Sequence, residues 1–263
     1  TRLQQCMIFK KEFKFSFDIK QDGSSLILET ASRKSGNSTS YAEIYLPESD
    51  TATLLDNWYI KGDNIERMYG IAHIPLIFRA GFQIGDEGKV RLLHKDRNEQ
   101  SVFKEISAEA DNYTIELKGH YDSCNKASKE MLVVVATSFP VSSKDLEVFK
   151  NNNIGHELRF EMCNPSLYGV DSIVSYALMN RLRTGILNKM REIVSSANIE
   201  KIHLVLSTSS DFIFFLSQGF SKYHDPEIIV YQYDRSDSQK YPWGVSNKAL
   251  PTSAIIRQTS QEH

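Results

Sequence analysis

An internal repeat constrains this chain more than any other feature. Gly81-Phe82, Val90 and Asp96-Arg97 recur as Gly219-Phe220, Ile228 and Asp234-Arg235, displaced by 138 positions with no gap between the matched points. Just upstream, Asn64-Ile65-Glu66-Arg67 is echoed by Asn198-Ile199-Glu200-Lys201, displaced by 134, so the second copy carries four extra residues ahead of the shared helix. Two related units in one chain are expected to pack about a pseudo-twofold axis, and a groove on that axis suits a ligand that is itself nearly symmetric.

Hydrophobic periodicity gives both copies a helix-strand-helix-strand order, preceded in the second by two further strands. In the first, Leu54, Leu55, Trp58 and Tyr59 have helical spacing over 51–61. A strand follows over 67–73, then a helix opened by Pro75, carrying Leu76, Ile77 and Phe78 and stopped at Gly81, then a strand over 89–93. The second opens on Met131-Leu132-Val133-Val134-Val135-Ala136-Thr137, a continuous apolar run of the kind buried on both faces of a parallel sheet, ending in Ser138-Phe139-Pro140. A strand over 157–162 and a long amphipathic helix over 170–194 come next. Then follow an apolar strand over 201–206, the polar run 207–211, a helix over 212–218 stopped by Gly219, and a strand over 228–233. Ahead of the repeat, 13–19 and 25–29 read as a hairpin through Asp22-Gly23, and the Ser-, Gly- and Asn-rich run 32–40 as a loop; between the copies, 107–125 is polar apart from an edge strand over 113–117. Strands alternating with helices predict an α/β protein with mainly parallel sheets.

Composition removes several functions. With 31 Lys and Arg against 33 Asp and Glu the net charge is −2, which offers no basic field for duplex nucleic acid but leaves room for a local cluster of donors around a short anion. Cys6, Cys124 and Cys163 are odd in number and far apart, so neither a disulfide framework nor a structural zinc site is expected, and a reducing, cytoplasmic setting fits. No apolar run reaches the length of a membrane span. Thr1 in place of an initiator methionine is expected of a piece of something longer, and the basic and apolar 7–14 either flanks a missing segment such as a membrane anchor or forms an ordinary edge strand.

Neither G-x-G-x-x-G nor a Walker sequence is present, which disfavours dehydrogenases and P-loop enzymes. In their place Ser207-Thr208-Ser209-Ser210 follows a buried strand and opens a helix. Four hydroxyls are more than capping needs, and with the helix N-terminus they can hold a phosphate or a base edge. The seven histidines have no H-x-H or H-E-x-x-H spacing, so no metal or other cofactor is expected, and His203, inside an apolar strand, reads as a satisfied buried histidine. Cys124 near His120 lies in a polar linker, a poor place to hold a nucleophile and base. Asp111 with Glu116-Leu117-Lys118 only faintly matches the acidic elements that hold Mg²⁺ in nucleases. Tyr231, Tyr233, Tyr241 and Trp243 crowd the last strand and the loop beyond it, beside Arg235 and Lys240, and stacking faces next to cations suit unpaired bases. Of these, one of Tyr231 and Tyr233 is expected to be structural, and Trp243, between Pro242 and Gly244, to be exposed.

The run 201–208, the helix to Gly219-Phe220, Ile228-Ile229-Val230-Tyr231-Gln232-Tyr233 and the late Tyr241-Pro242-Trp243 together resemble the C-terminal signature of SAVED domains, and 131–140 resembles the strand that opens their second half. The likeness covers roughly 55–247. It implies two fused CARF-like, Rossmann-type units: an N-terminal segment of strands over 1–50 joining a missing effector, a first half over 51–125 and a second over 126–263. It also implies a receptor rather than an enzyme, binding a cyclic di-, tri- or tetranucleotide second messenger in bacterial anti-phage (CBASS) defence. Head-to-tail self-association on ligand binding would activate an attached nuclease, protease, TIR or transmembrane effector. The family pattern has a small residue followed by proline where this chain has Ser207-Thr208-Ser209-Ser210.

On that reading Ser138, Phe139 and Pro140 line one wall of the cleft, Ser207, Thr208, Ser209 and Ser210 meet phosphate or base edges, and Tyr233, Trp243 and Tyr168 stack bases near Arg235. His73, Ile74, Pro75 and Arg97 sit at the corresponding strand ends of the first half. Most polar recognition is expected from the second copy. The alternative is an enzyme, a ring nuclease or a metal-dependent nuclease acting on the same nucleotide.

Overall fold

Two mixed sheets, each with parallel strands at its centre, carry the chain. The computed structural model describes residues 3–8, 14–22, 25–31, 33–34, 40–41, 67–86, 90–95, 103–108, 114–150, 154–235, 237–248 and 255–257. The helix expected over 51–61, as well as Arg97 and Asp111, lies outside them.

The first sheet contains β1 (Leu3–Ile8), β2 (Lys14–Asp22), β3 (Ser25–Ala31), β6 (Arg67–Ile71), β7 (Arg91–Lys95) and β8 (Phe103–Glu105), in the order β1-β2-β3-β6-β7-β8. The expected hairpin is β2–β3, with Asp22 opposite Ser25. β3, β6 and β7 run parallel, and β8 returns antiparallel. The sheet therefore extends across residue 50, since β3 pairs directly with β6. The run read as a plain loop over 32–40 closes in a two-residue antiparallel ladder between β4 (Arg33–Lys34) and β5 (Ser40–Tyr41).

The second sheet contains β9 (Leu117–Ser123), β10 (Glu130–Ala136), β11 (His156–Met162), β12 (Lys201–Ser207), β13 (Glu227–Gln232), β14 (Trp243–Ser246) and β15 (Ile255–Arg257), in the order β15-β14-β13-β12-β10-β11-β9. Its four central strands are parallel and its flanking strands antiparallel. β9 corrects the edge strand expected over 113–117. It is almost wholly exposed, so no alternation of apolar and polar residues marks it, and its ladder with β11 alone makes it a strand.

The repeat is present as structure. β6, α1 (Ile74–Ile84) and β7 in the first half correspond to β12, α4 (Ser210–Gln218) and β13 in the second, and each unit closes on an antiparallel strand, β8 or β14. The two equivalent helices pack on each other. Phe78 lies 5.3 Å from Phe220 and stacks on Phe82 at 6.4 Å, within one core that takes residues from both sheets and all the long helices. On β10, Met131, Val133 and Val135 face that core, while Leu132, Val134 and Ala136 face a second cluster built around Phe149 of α2 (Glu147–Lys150). Burial on both faces is what the unbroken apolar run requires.

Two helix boundaries differ from expectation. The long helix α3 runs Tyr176–Ala197 instead of starting at 170, because the Ser175 hydroxyl accepts the Leu178 amide at 3.2 Å and stops the helix from extending backwards. Asn198 ends it in the left-handed conformation. α1 does not stop at Gly81 but continues to Ile84, with Gly85 (φ 70°) taking the capping place.

Candidate functional site

The carboxyl ends of β7, β10, β12 and β13 open onto a cavity of about 1040 Å³, at the upper limit of the roughly 300–1,000 Å³ usual for small-molecule sites. Ligands of open α/β sheets bind at this end of the strands. The first half contributes Met68, Tyr69, Ile74, Leu93, His94 and Lys95; every other lining residue comes from the second half.

β10 and β12 end side by side, joined by hydroxyls and backbone. Thr137 Oγ1 donates to Thr208 Oγ1 at 2.6 Å, Ser207 Oγ donates to the Phe139 carbonyl at 2.8 Å, and the Thr137 and Ser138 amides both donate to the Ser207 carbonyl at 2.9 Å. These bonds occupy Ser207 and Thr208 in shaping the wall. Ser209 stands at the N-cap of α4 without capping it through its side chain, and its Oγ, like that of Ser138, is buried with no hydrogen-bond partner. Buried polar atoms are rarely left so, and both of these residues line the cavity. Phe139, 60% exposed, projects at its rim, and Tyr233 is packed edge-on against Tyr241 at 5.4 Å.

The first-half wall is built around His94. Its Nδ1 is 3.0 Å from Asp211 Oδ2 in the first turn of α4, and its Nε2 is 2.8 Å from Asp171 Oδ1. The hydrogen bond that buried Asp211 accepts, together with its charge and the hydrogen bond and charge of Asp171, outweighs desolvation and pushes the imidazole up to about 9. Across the cavity Gln232 accepts the Ile74 amide through Oε1 at 2.9 Å and donates to the Tyr233 carbonyl.

Of the residues singled out in sequence, Ser138, Phe139, Pro140, Ser207, Thr208, Ser209, Ser210, Tyr233, Arg235 and Ile74 meet on this one cavity. His73, Pro75, Tyr168 and Trp243 stand behind its walls. Trp243 corrects the expectation of exposure. It is 5% exposed because β14 pairs with β13, placing it opposite Gln232, and the ring edge of His73 packs on it at 5.9 Å. Desolvation pushes His73 down to about 3, so its ring is neutral. Tyr168, partly buried, packs against both hydrophobic clusters. Tyr231 is the structural tyrosine, buried against Phe149 with its hydroxyl 2.9 Å from His203 Nδ1, and His203 Nε2 meets Glu130 at 2.9 Å. The ionisable and amide side chains of the lining that sequence reasoning missed include His94, Lys95, Asp145, Asp171, Asp211 and Gln232. His94 and Lys95 were findable, since the strand expected to end at 93 has its repeat partner ending beyond 231.

A family profile, described as the SMODS-associated and fused to various effectors sensor domain, matches residues 53–246. The chain belongs to the SAVED family. As a SAVED chain it is a sensor domain, and its fold is similar to solved receptors of that class. The Acinetobacter baumannii Cap4 SAVED/CARF-domain containing receptor with the cyclic trinucleotide 2′3′3′-cAAA superposes with a TM-score of 0.54 at 14% identity, over 84% of this chain and 50% of that one. The same receptor with 3′3′3′-cAAA gives 0.53 at 13% identity over 84% and 50%. Without a ligand in its description it gives 0.52 at 12% identity over 87% and 50%. This SAVED chain therefore spans about half the length of those receptors. Comparison with curated proteins gives no match. Among the described residues no three His, Cys, Asp or Glu side chains converge as metal ligands, and no helix is long and apolar enough to cross a membrane.

Proposed function

We propose that the cavity binds a cyclic oligonucleotide. The observation that carries this reading is the pair of buried, unpartnered hydroxyls of Ser138 and Ser209 on the wall of a cavity of about 1040 Å³, beside Lys95 and Arg235 and the exposed faces of Phe139 and Tyr233. Hydroxyls and the start of α4 suit phosphate or base edges, cations suit the ring's charges, and aromatic faces suit bases. The volume and the cyclic trinucleotides named with the Acinetobacter receptor favour a ring of three or more nucleotides over a dinucleotide. Because the two walls differ, the grip on a near-symmetric ring is asymmetric, with most polar contacts from the second half.

Calorimetry with cyclic di-, tri- and tetranucleotides tests the reading. Binding by at least one ring, weakened by Ser209→Ala and by Phe139→Ala, is expected; no binding by any ring overturns it. We further infer that the bound state self-associates head to tail and so switches an effector carried elsewhere in the longer protein, including one attached to a membrane. Light scattering with and without ligand tests this, and an unchanged mass overturns it. Cleavage of the ligand finds little support in the geometry, because His94 has a carboxylate on each nitrogen and neither is free to take a ribose proton. Intact ligand after long incubation is expected.

A further inference from the structure

The ends of β7 and β13 make the same reach in opposite directions. Gln232 of the second half lies on the start of α1, and His94 of the first half lies on the start of α4. The 138-residue displacement relates these two residues directly. Each half thus places one side chain on the opening turn of the other half's helix, beside the ligand cavity.

The chemistry of the two contacts differs. Gln232 is neutral and meets a backbone amide. His94 meets two carboxylates, one on each ring nitrogen, an arrangement that calls for both nitrogens to carry protons. Two acids on opposite edges of the ring also cannot share one metal ion with it, so this is a charge clamp and not a metal site. The groups facing it are Asp171 before α3 and Asp211 on α4; Lys95, the next residue on its own strand, lines the same cavity, and the Tyr176 phenol of α3, near Asp211, accepts the Leu92 amide at 2.6 Å. Arg91 and Glu105 pair with each other at 3.8 Å on the solvent side. Among the described lining residues there are three carboxylates, Asp145, Asp171 and Asp211, and two permanent cations, Lys95 and Arg235. With a neutral His94 the wall repels an anion; with a protonated one it does not.

We propose that His94 is a positioning residue for the ligand. As an imidazolium it bridges Asp171 and Asp211 and, with Lys95 and Arg235, balances the three carboxylates of the cavity wall, and it clamps the two halves together there, so that binding a polyanion and keeping this proton are linked. The proposal rests on the receptor reading above.

The test uses cyclic triadenylate, whose adenines stay neutral across the alkaline range, and the variant His94→Gln, which places at 94 the residue that the second copy uses. The natural chain is expected to bind about threefold more weakly at pH 9.5 than at pH 7.5, as the protonated fraction of a group with pKa near 9 falls to about a quarter and the neutral form binds about tenfold more weakly. His94→Gln is expected to bind on the order of tenfold more weakly at pH 7.5 and to lack that decline. Parallel pH profiles for the two chains, or equal affinity at pH 7.5, overturn the proposal. Histidine NMR without ligand reads the clamp alone. A His94 ring titrating near 9, and higher with ligand bound, supports it, whereas one titrating at the ordinary histidine value overturns it whatever the ligand does. If the ring titrates high but the natural chain binds no triadenylate, the receptor reading fails for this ring, and the proposed role in binding it fails too, while the clamp between the halves stands.

Discussion

Gly81 of α1 lies directly against Ser217 of α4. A Cβ built on Gly81 would fall 2.0 Å from the Ser217 Oγ and 2.4 Å from the Phe214 carbonyl oxygen. Glycine here is a requirement of close helix approach across the pseudo-twofold relation, not of helix termination. Gly81→Ala is expected to push the helices apart and lower stability by about 1–3 kcal/mol in urea denaturation. Ser217→Ala should not rescue it, because the carbonyl stays in the way.

Tyr231 of β13 and His203 of β12 form a buried pair, with Glu130 on the far side of the imidazole. Tyr231→Phe keeps the ring packed on Phe149 and leaves His203 Nδ1 without its partner. A loss of about 1–3 kcal/mol in chemical denaturation is expected, the cost of one unsatisfied buried polar atom. An unchanged midpoint would mean that water reaches the site.

Trp243 and Phe139 should behave oppositely on truncation. Trp243→Ala empties a buried site and is expected to cost about 3–5 kcal/mol of stability. Phe139→Ala removes a ring already largely in solvent, so the melting temperature should hold while affinity for a cyclic oligonucleotide falls. Melting curves and calorimetry on the same two variants separate the roles.

The His94 clamp makes ligand-free stability pH-dependent. Its folded pKa of about 9 stands above the ordinary value of 6.5, so its contribution is fully present below pH 6.5 and is lost as pH rises through 9. The melting temperature of the natural chain should exceed that of His94→Ala most at pH 6, with the gap closing toward pH 10. A gap that is constant with pH would mean that the ring contributes packing alone.

Much of the site was legible because the residues that build it carry strong local signals. Ser207 to Ser210 stand out as excess hydroxyls after a buried strand, and Ser138-Phe139-Pro140 as the polar end of an apolar run. Asp171 carried no such signal. It is one acid in a polar segment, and only the turn before α3 brings it to His94. Trp243 was misjudged for the converse reason: Pro242 and Gly244 read locally as a loop, while the pairing of β14 with β13 buries what lies between them. β9 was missed because an edge strand that faces solvent has no hydrophobic pattern to display.

The sequence by itself determined the doubled strand-helix-strand unit, the strand buried on both faces and the end of the sheet where a ligand belongs, because periodicity, apolar runs and capping residues act over a few neighbouring positions. Only the tertiary structure decided how the copies divide the work. Whether Gly81 ends a helix or admits another, whether Trp243 meets solvent, and which acids hold His94 are settled by strand pairing and by contacts between distant parts of the chain, such as Gly81 with Ser217 and His94 with Asp171 and Asp211, and no local pattern encodes those contacts.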